Sequence, residues 1–358
     1  MSGQGAIHLA LQFGRMRHFR EGLAEFSRRL GAELGRRAAL LRAERNWQFH
    51  FILERRWHGL FGEAVSYRPI TDRLRWPHRS DPAFAVWHGL HQHMRYRPPS
   101  NARARLITVH DFNYLTEKRG FSRIWYGQRV RRTLGRATAL VAISSAVADD
   151  ARTVLGAASD VRIIHNGVAD LSTAPRAEVP EVGEAPFLLH LSRMSPSKNV
   201  DAIVALATAW PEQRFVLAGP DGGPVRQYRE SVGRRGLRNV TVLADVSDEQ
   251  KAWLYARSAG FVFPSLVEGF GMPPIEAMYF GKPVFVTRLS CLPEVCGDAA
   301  YYFDSFEPAR MREVIESGLA RAETRAGAVR AWAGHYSWQR AANQYLALYE
   351  RLLAPRRR

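Results

Sequence analysis

Two carboxylates bracket a short glycine loop. Glu268 and Glu276 stand with seven residues between them in Pro264-Ser265-Leu266-Val267-Glu268-Gly269-Phe270-Gly271-Met272-Pro273-Pro274-Ile275-Glu276-Ala277. An apolar run precedes the string and a helical pattern follows it. Gly269 and Gly271 leave the backbone uncovered, so N–H groups can come close to a ligand. Those groups lie where a helix begins, a place that favours a phosphate or another polar ligand. Pro273 and Pro274 suit a first helical turn, where a missing donor costs nothing. Both carboxylates can accept hydrogen bonds from hydroxyls, as sugar recognition requires. A glycine turn with a helix-capping Glu is the plainer account of a lone Gly-x-Gly. The length of this string favours a ligand loop.

A loop of this kind needs a strand before it and a helix after it, and the whole chain is built that way. Strands are expected at residues 6–12, 47–53, 84–88, 106–109, 140–143 and 161–164, with a basic amphipathic helix over 18–42. Residues 171–186 break the pattern with prolines, Gly183 and Glu178, Glu181 and Glu184, so they read as a linker. A second series follows, with strands at 187–191, 215–218, 240–243, 261–263 and 284–286. Its helices fall at 199–210, 224–235, 247–257 and 274–280, and a last helix at 338–353. Strands alternating with helices make an α/β protein with parallel sheets. The expected division is a domain over 1–170, a linker over 171–186 and a second domain over 187–337, with the final helix packing back on the first. Ligands in such sheets bind at the carboxyl ends of strands, which places the active site in a cleft between the domains.

The 358 residues and their ordinary apolar fraction of 46% agree with two globular domains and exclude disorder for most of the chain. No apolar run reaches the length of a membrane span, and the first residues lack the pattern of a signal peptide. Two cysteines, Cys291 and Cys296, make no disulfide framework, so a reducing cytoplasm is expected. The net charge of +17 is uneven: residues 1–174 hold 28 basic and 14 acidic residues, and residues 175–358 hold 23 and 20. Residues 95–136 alone carry 11 basic residues against 2 acidic. An anionic membrane surface, acidic soluble ligands and nucleic acid all fit such a half. No nucleic-acid motif accompanies the charge, so nucleic acid is not expected. His88, His91 and His93 cluster in sequence without a nearby Cys or carboxylate, so no metal site is expected there.

The bracketed loop resembles the Glu-x7-Glu signature of the retaining glycosyltransferases of family four, which have the GT-B fold of two Rossmann-like domains facing across a cleft. Leu189-His190-Leu191-Ser192-Arg193-Met194-Ser195-Pro196-Ser197-Lys198-Asn199 resembles the first strand and basic loop of that family's donor domain. His165-Asn166-Gly167-Val168, Gly281-Lys282-Pro283-Val284, Leu292-Pro293-Glu294-Val295 and Tyr336-Ser337-Trp338 fit the same pattern, and His110-Asp111 resembles the acceptor-domain His. The motifs run from about residue 105 to 340. Two positions depart from the pattern: Gly14 is followed by Arg15 where the family often has a second glycine, and Ser192 stands where Gly is common.

The resemblance implies an enzyme that moves a sugar from a nucleotide-sugar donor to a glycan or lipid-linked acceptor. Arg193 and Lys198 would hold the donor diphosphate and stabilise charge on the leaving group. Glu276 would bind the ribose, and Glu268 the transferred sugar. Gly269, Phe270, Gly271 and Met272 would offer backbone donors. His110 would touch the sugar, and Gly14 would let backbone approach donor or acceptor. Base selection would rest on backbone near residues 244–247. No metal or other cofactor is implied, and no general base is expected, because the leaving phosphate takes the proton. The expected location is cytoplasmic, with the basic half resting on the inner face of the plasma membrane. An arginine-rich nucleic-acid-binding protein and an idle GT-B scaffold are the competing readings, with a GT-B phosphorylase behind them.

Overall fold

The computed structural model describes residues 5–14, 22–70, 82–93, 102–112, 120–156 and 160–354. The chain divides into two compact units, Met1–Gly167 with Ser337–Arg358, and Val168–Tyr336.

The first unit holds seven parallel strands: β1 (Ile7–Gln12), β2 (Trp47–Leu53), β3 (Ser66–Pro69), β4 (Phe84–Gly89), β5 (Ala104–Val109), β6 (Ala139–Ala142) and β7 (Val161–Ile163). Their order is β3-β2-β1-β4-β5-β6-β7, so the direction of winding reverses beside β1. The helix Gly22–Arg45 buries Phe26, Leu30 and Leu34, one apolar stripe at helical spacing, against the sheet. Of the expected helix over 18–42, residues 18–21 lie outside the described residues. The last helix, Trp338–Leu353, packs into the same core through Trp338, Tyr345 and Tyr349. Its buried hydroxyls are satisfied there, since Tyr349 bonds His88 Nδ1 at 2.7 Å and Tyr345 bonds Thr108 at 3.0 Å. Gly167 has no side chain because Trp338 fills that space.

The second unit holds β8 (Leu188–Leu191), β9 (Phe215–Gly219), β10 (Val240–Ala244), β11 (Gly260–Phe263), β12 (Val284–Thr287) and β13 (Tyr301–Phe303). All pair in parallel in the order β10-β9-β8-β11-β12-β13. Val284, Phe285 and Val286 are buried on both faces of the sheet, as a strand covered by helices must be. Residues 171–186 belong to this unit. Val179 and Val182 are buried, and Arg214 donates to the carbonyls of Val182 and Ala185. Cys291 and Cys296 are free and buried. Among the described residues no helix is long and apolar enough to cross a membrane.

Candidate functional site

In the second sheet β8 lies between β9 and β11, and the chain winds outward from it in both directions. The carboxyl ends of β8 and β11 therefore form a topological switch point, where open α/β sheets bind ligands. The two loops that leave those ends are tied together. The Ser265 hydroxyl and the Leu266 N–H both donate to Ser197 O, at 3.0 and 2.8 Å. The Thr287 hydroxyl donates to Ser265 O at 2.7 Å. Across this join, Lys198 Nζ donates to Glu268 Oε1, and each side chain is 11% exposed. The ammonium also stands 5.8 Å from the Phe263 ring centroid. Two charges so far out of water hold only because they meet. The backbone of Glu268 is fixed by Ser290, whose Oγ accepts its N–H at 3.1 Å and whose hydroxyl donates to its carbonyl at 2.5 Å.

Gly271 has φ +84°, a conformation that favours glycine, and a Cβ there would stand 2.9 Å from a Leu292 methyl. It is the N-cap of helix Met272–Tyr279 and supplies no side chain to cap it. Pro273 and Pro274 occupy the first turn. Phe270 is buried edge-on against Tyr336, 5.5 Å between centroids, which anchors the loop that Gly269 and Gly271 flank. Glu276, the fifth residue of the helix, is 6% exposed, and its Oε2 accepts from the Tyr255 hydroxyl at 2.7 Å. The helix begins at Met272 and not at the expected residue 274, so Glu276 lies one residue into its second turn.

The basic loop has its own support. His190 Nδ1 donates to Val262 O at 2.8 Å, which leaves Nε2 as an acceptor for the Ser192 hydroxyl at 2.7 Å. Ser192 Oγ in turn accepts the Met194 N–H at 2.9 Å. Burial lowers the His190 pKa to about 4, so the ring is neutral and this polarity is fixed. Met194 has φ +51°, an uncommon conformation for a side chain that size. Arg193, between Ser192 and Met194, is exposed and makes no ion pair among the described residues. Gly219 lies below: a Cβ there would stand 2.5 Å from Ser192 O.

Two of the singled-out residues belong to the first unit. His110 follows β5 and is 5% exposed. Its Nε2 donates to Leu90 O at 2.8 Å, its N–H donates to Gln92 Oε1 at 3.1 Å, and its ring meets Phe26 edge-on at 4.5 Å. Burial lowers its pKa to about 4, so Nδ1 is left as a neutral acceptor. Gly14 follows β1, and the space that its Cβ would take is filled by the His91 ring. Arg15 lies outside the described residues. His88 is committed to Tyr349 and Thr108. Among the described residues, no three His, Cys, Asp or Glu side chains are grouped to hold a metal.

Tyr255, His190, Ser290 and Gln92 were not singled out by sequence. Each acts through a hydrogen bond to a residue far along the chain, or to a backbone atom, and no motif records that.

Family models and solved structures match the chain along most of its length. The model described as Glycosyl transferases group 1 matches residues 173–331, and the model for Glycosyltransferase Family 4 matches residues 17–170. An Escherichia coli O-antigen chain mannosyltransferase B is 29% identical over 187 residues, 46% of this chain and 46% of that protein. The Salmonella typhimurium O-antigen chain mannosyltransferase RfbU is 24% identical over 219 residues, 60% of this chain and 61% of that protein. The chain thus spans about half the length of the curated relatives it matches. Among solved structures, the sucrose-phosphate synthase of Thermosynechococcus elongatus superposes with a TM-score of 0.73 at 18% identity, covering 97% of this chain and 99% of that one. Anabaena HepE, solved with UDP and glucose, superposes with a TM-score of 0.68 at 15% identity, covering 96% and 100%. The fold is GT-B, with two Rossmann-like parallel-sheet domains. The chain belongs to the family-four type of glycosyltransferase.

Proposed function

We propose that the chain is a retaining hexosyltransferase. It moves mannose or another hexose from a nucleotide sugar to a hydroxyl of a glycan or lipid-linked acceptor, in the assembly of a surface polysaccharide or lipopolysaccharide. The observation that carries this reading is the joined loop pair at the switch point. Lys198 and Glu268 meet at the carboxyl ends of β8 and β11, and Glu276 lies one helical turn beyond the glycine loop. The names of the relatives favour mannose and a growing glycan.

In this reading Arg193 and Lys198 hold the two phosphates, Arg as a fork and Lys as a point charge. Their charge is worth most when the sugar–phosphate bond breaks and the diphosphate departs. Lys198 and Glu268 act as a unit, so that phosphate and sugar are gripped from one rigid join. The N–H groups of Gly269, Phe270, Gly271 and Met272 add donors near the helix N-terminus. Glu276 binds the ribose hydroxyls, its carboxylate held in place by the Tyr255 hydroxyl. His110, with a neutral Nδ1, accepts from a sugar hydroxyl. The acceptor hydroxyl attacks on the face that the diphosphate leaves, and a phosphate oxygen takes its proton. The protein supplies position and charge.

Thermal unfolding with GDP, UDP, ADP, CDP and dTDP tests the donor half of this proposal. A ligand at about 100 times its dissociation constant stabilises the fold by about 2.7 kcal/mol. One nucleotide should raise the midpoint of the wild type and much less that of Glu276→Ala. Equal shifts in both proteins would refute the assignment of Glu276.

A further inference from the structure

The charge of the first half has a structural focus that the transfer reaction does not use. The helix Gly120–Leu134 buries only Val130 and Leu134. Nine large apolar side chains are exposed among the described residues, and three of them fall within five positions of this helix: Phe121, Ile124 and Trp125, at 80%, 59% and 54%. At helical spacing these three point to one side, continued by Gln128 and Arg132, while Val130 and Leu134 point to the other. The stripe therefore faces away from the core that the helix itself packs on.

The same helix carries Arg123, Arg129, Arg131 and Arg132, all exposed, and Arg136 follows it. No acidic residue occurs between Gly120 and Ala148. None of the five arginines is ion-paired among the described residues, and Arg129 lies 5.8 Å from the Trp125 ring centroid. An apolar, aromatic first turn followed by unpaired arginines is the composition of a helix that lies in a lipid headgroup layer. Apolar rings enter the interface and guanidinium groups meet phosphates. Nucleic acid would engage the arginines, and bases can stack on Phe121 and Trp125, but it offers Ile124 no apolar layer to enter.

We propose that helix Gly120–Leu134 docks the chain on an anionic lipid surface, with Phe121, Ile124 and Trp125 inserted and Arg129, Arg131 and Arg132 on the headgroups. This does not depend on which sugar, or any sugar, is transferred.

Co-sedimentation of the full chain with phosphatidylcholine vesicles, with and without about 30% phosphatidylglycerol at about 0.1 M salt, tests it. The wild type should pellet with the anionic vesicles only. The triple variant Arg129→Gln, Arg131→Gln, Arg132→Gln should weaken that binding about a hundredfold. The variant Phe121→Ser, Ile124→Ser, Trp125→Ser should lose it as well, with its thermal midpoint unchanged because the three side chains are exposed. The proposal is overturned by equal binding to neutral vesicles, by no binding to either, or by undiminished binding of the apolar variant. Binding to duplex RNA in place of vesicles would also overturn it, in favour of a nucleic-acid surface.

Discussion

Lys198 and Glu268 stand 70 residues apart in sequence and form a nearly buried ion pair across two neighbouring strand ends. Removing one partner leaves the other charge buried and unmet, at a cost of about 3–5 kcal/mol. Lys198→Ala and Glu268→Ala should therefore each destabilise the second unit strongly. The double variant should cost less than the two single changes added together. Urea unfolding of the four proteins measures this coupling, and additivity would show that the pair is not a unit.

Tyr255 holds one oxygen of Glu276 at 2.7 Å. Tyr255→Phe removes that donor from a buried carboxylate and should cost about 1–3 kcal/mol of stability. It should also weaken nucleotide binding, because the Glu276 carboxylate then loses a contact that orients it. Titration calorimetry with the stabilising nucleotide checks this; unchanged affinity would separate Tyr255 from the site.

Ser192 is small, like the glycine the family often has there, yet its hydroxyl links His190 to the N–H of Met194. Ser192→Ala should leave that N–H and His190 Nε2 without partners, costing about 1–3 kcal/mol. The turn that presents Arg193 should loosen, so KM for the donor should rise more than kcat falls. Ser192→Thr keeps the hydroxyl and should retain more of the affinity. Equal kinetics for the Ala and Thr variants would contradict the role of the hydroxyl.

Burial holds His88, His110 and His190 well below the ordinary histidine pKa, at about 3, 4 and 4. Below pH 6.5 the unfolded chain takes up protons on these rings that the folded chain refuses. Their contribution is complete above pH 6.5 and is lost as pH falls toward 4. Each removes about 1.4 kcal/mol per pH unit across that window. Stability measured by denaturant should fall steadily from pH 7 to pH 5, and a flat profile would show that the rings are not buried neutral.

Much of this was legible in the sequence, for physical reasons that particular elements show. Parallel strands covered on both faces read as unbroken apolar runs, so β2 and β12 stood out at once. The edge strands β3 and β13 did not. Ser66–Pro69 carries a proline and half-exposed residues, and Tyr301–Phe303 has only three positions. The stretch 171–186 reads as a linker from its prolines and glutamates, while Val179 and Val182 seat it on the second unit. Helix Gly120–Leu134 gave no periodic signal because only two of its residues face a core. Its apolar side chains point outward, and pattern reading assumes that they point inward. At the site, the charged residues announce themselves by type and spacing. Their supports, His190, Tyr255 and Ser290, are visible only when the strand ends are brought side by side.

The central claim is sugar transfer from a nucleotide donor through the β8 and β11 loops. Its most direct test is release of nucleoside diphosphate by the purified chain from a panel of GDP-, UDP-, ADP-, CDP- and dTDP-hexoses with a glycan acceptor, coupled to detection of the lengthened glycan. The account predicts that one donor turns over, that the product keeps the donor's anomeric configuration, and that Glu276→Ala, which leaves the Lys198–Glu268 pair intact, falls by about a hundredfold or more in kcat/KM. A donor that binds but never yields product, or a variant as active as the wild type, would contradict it.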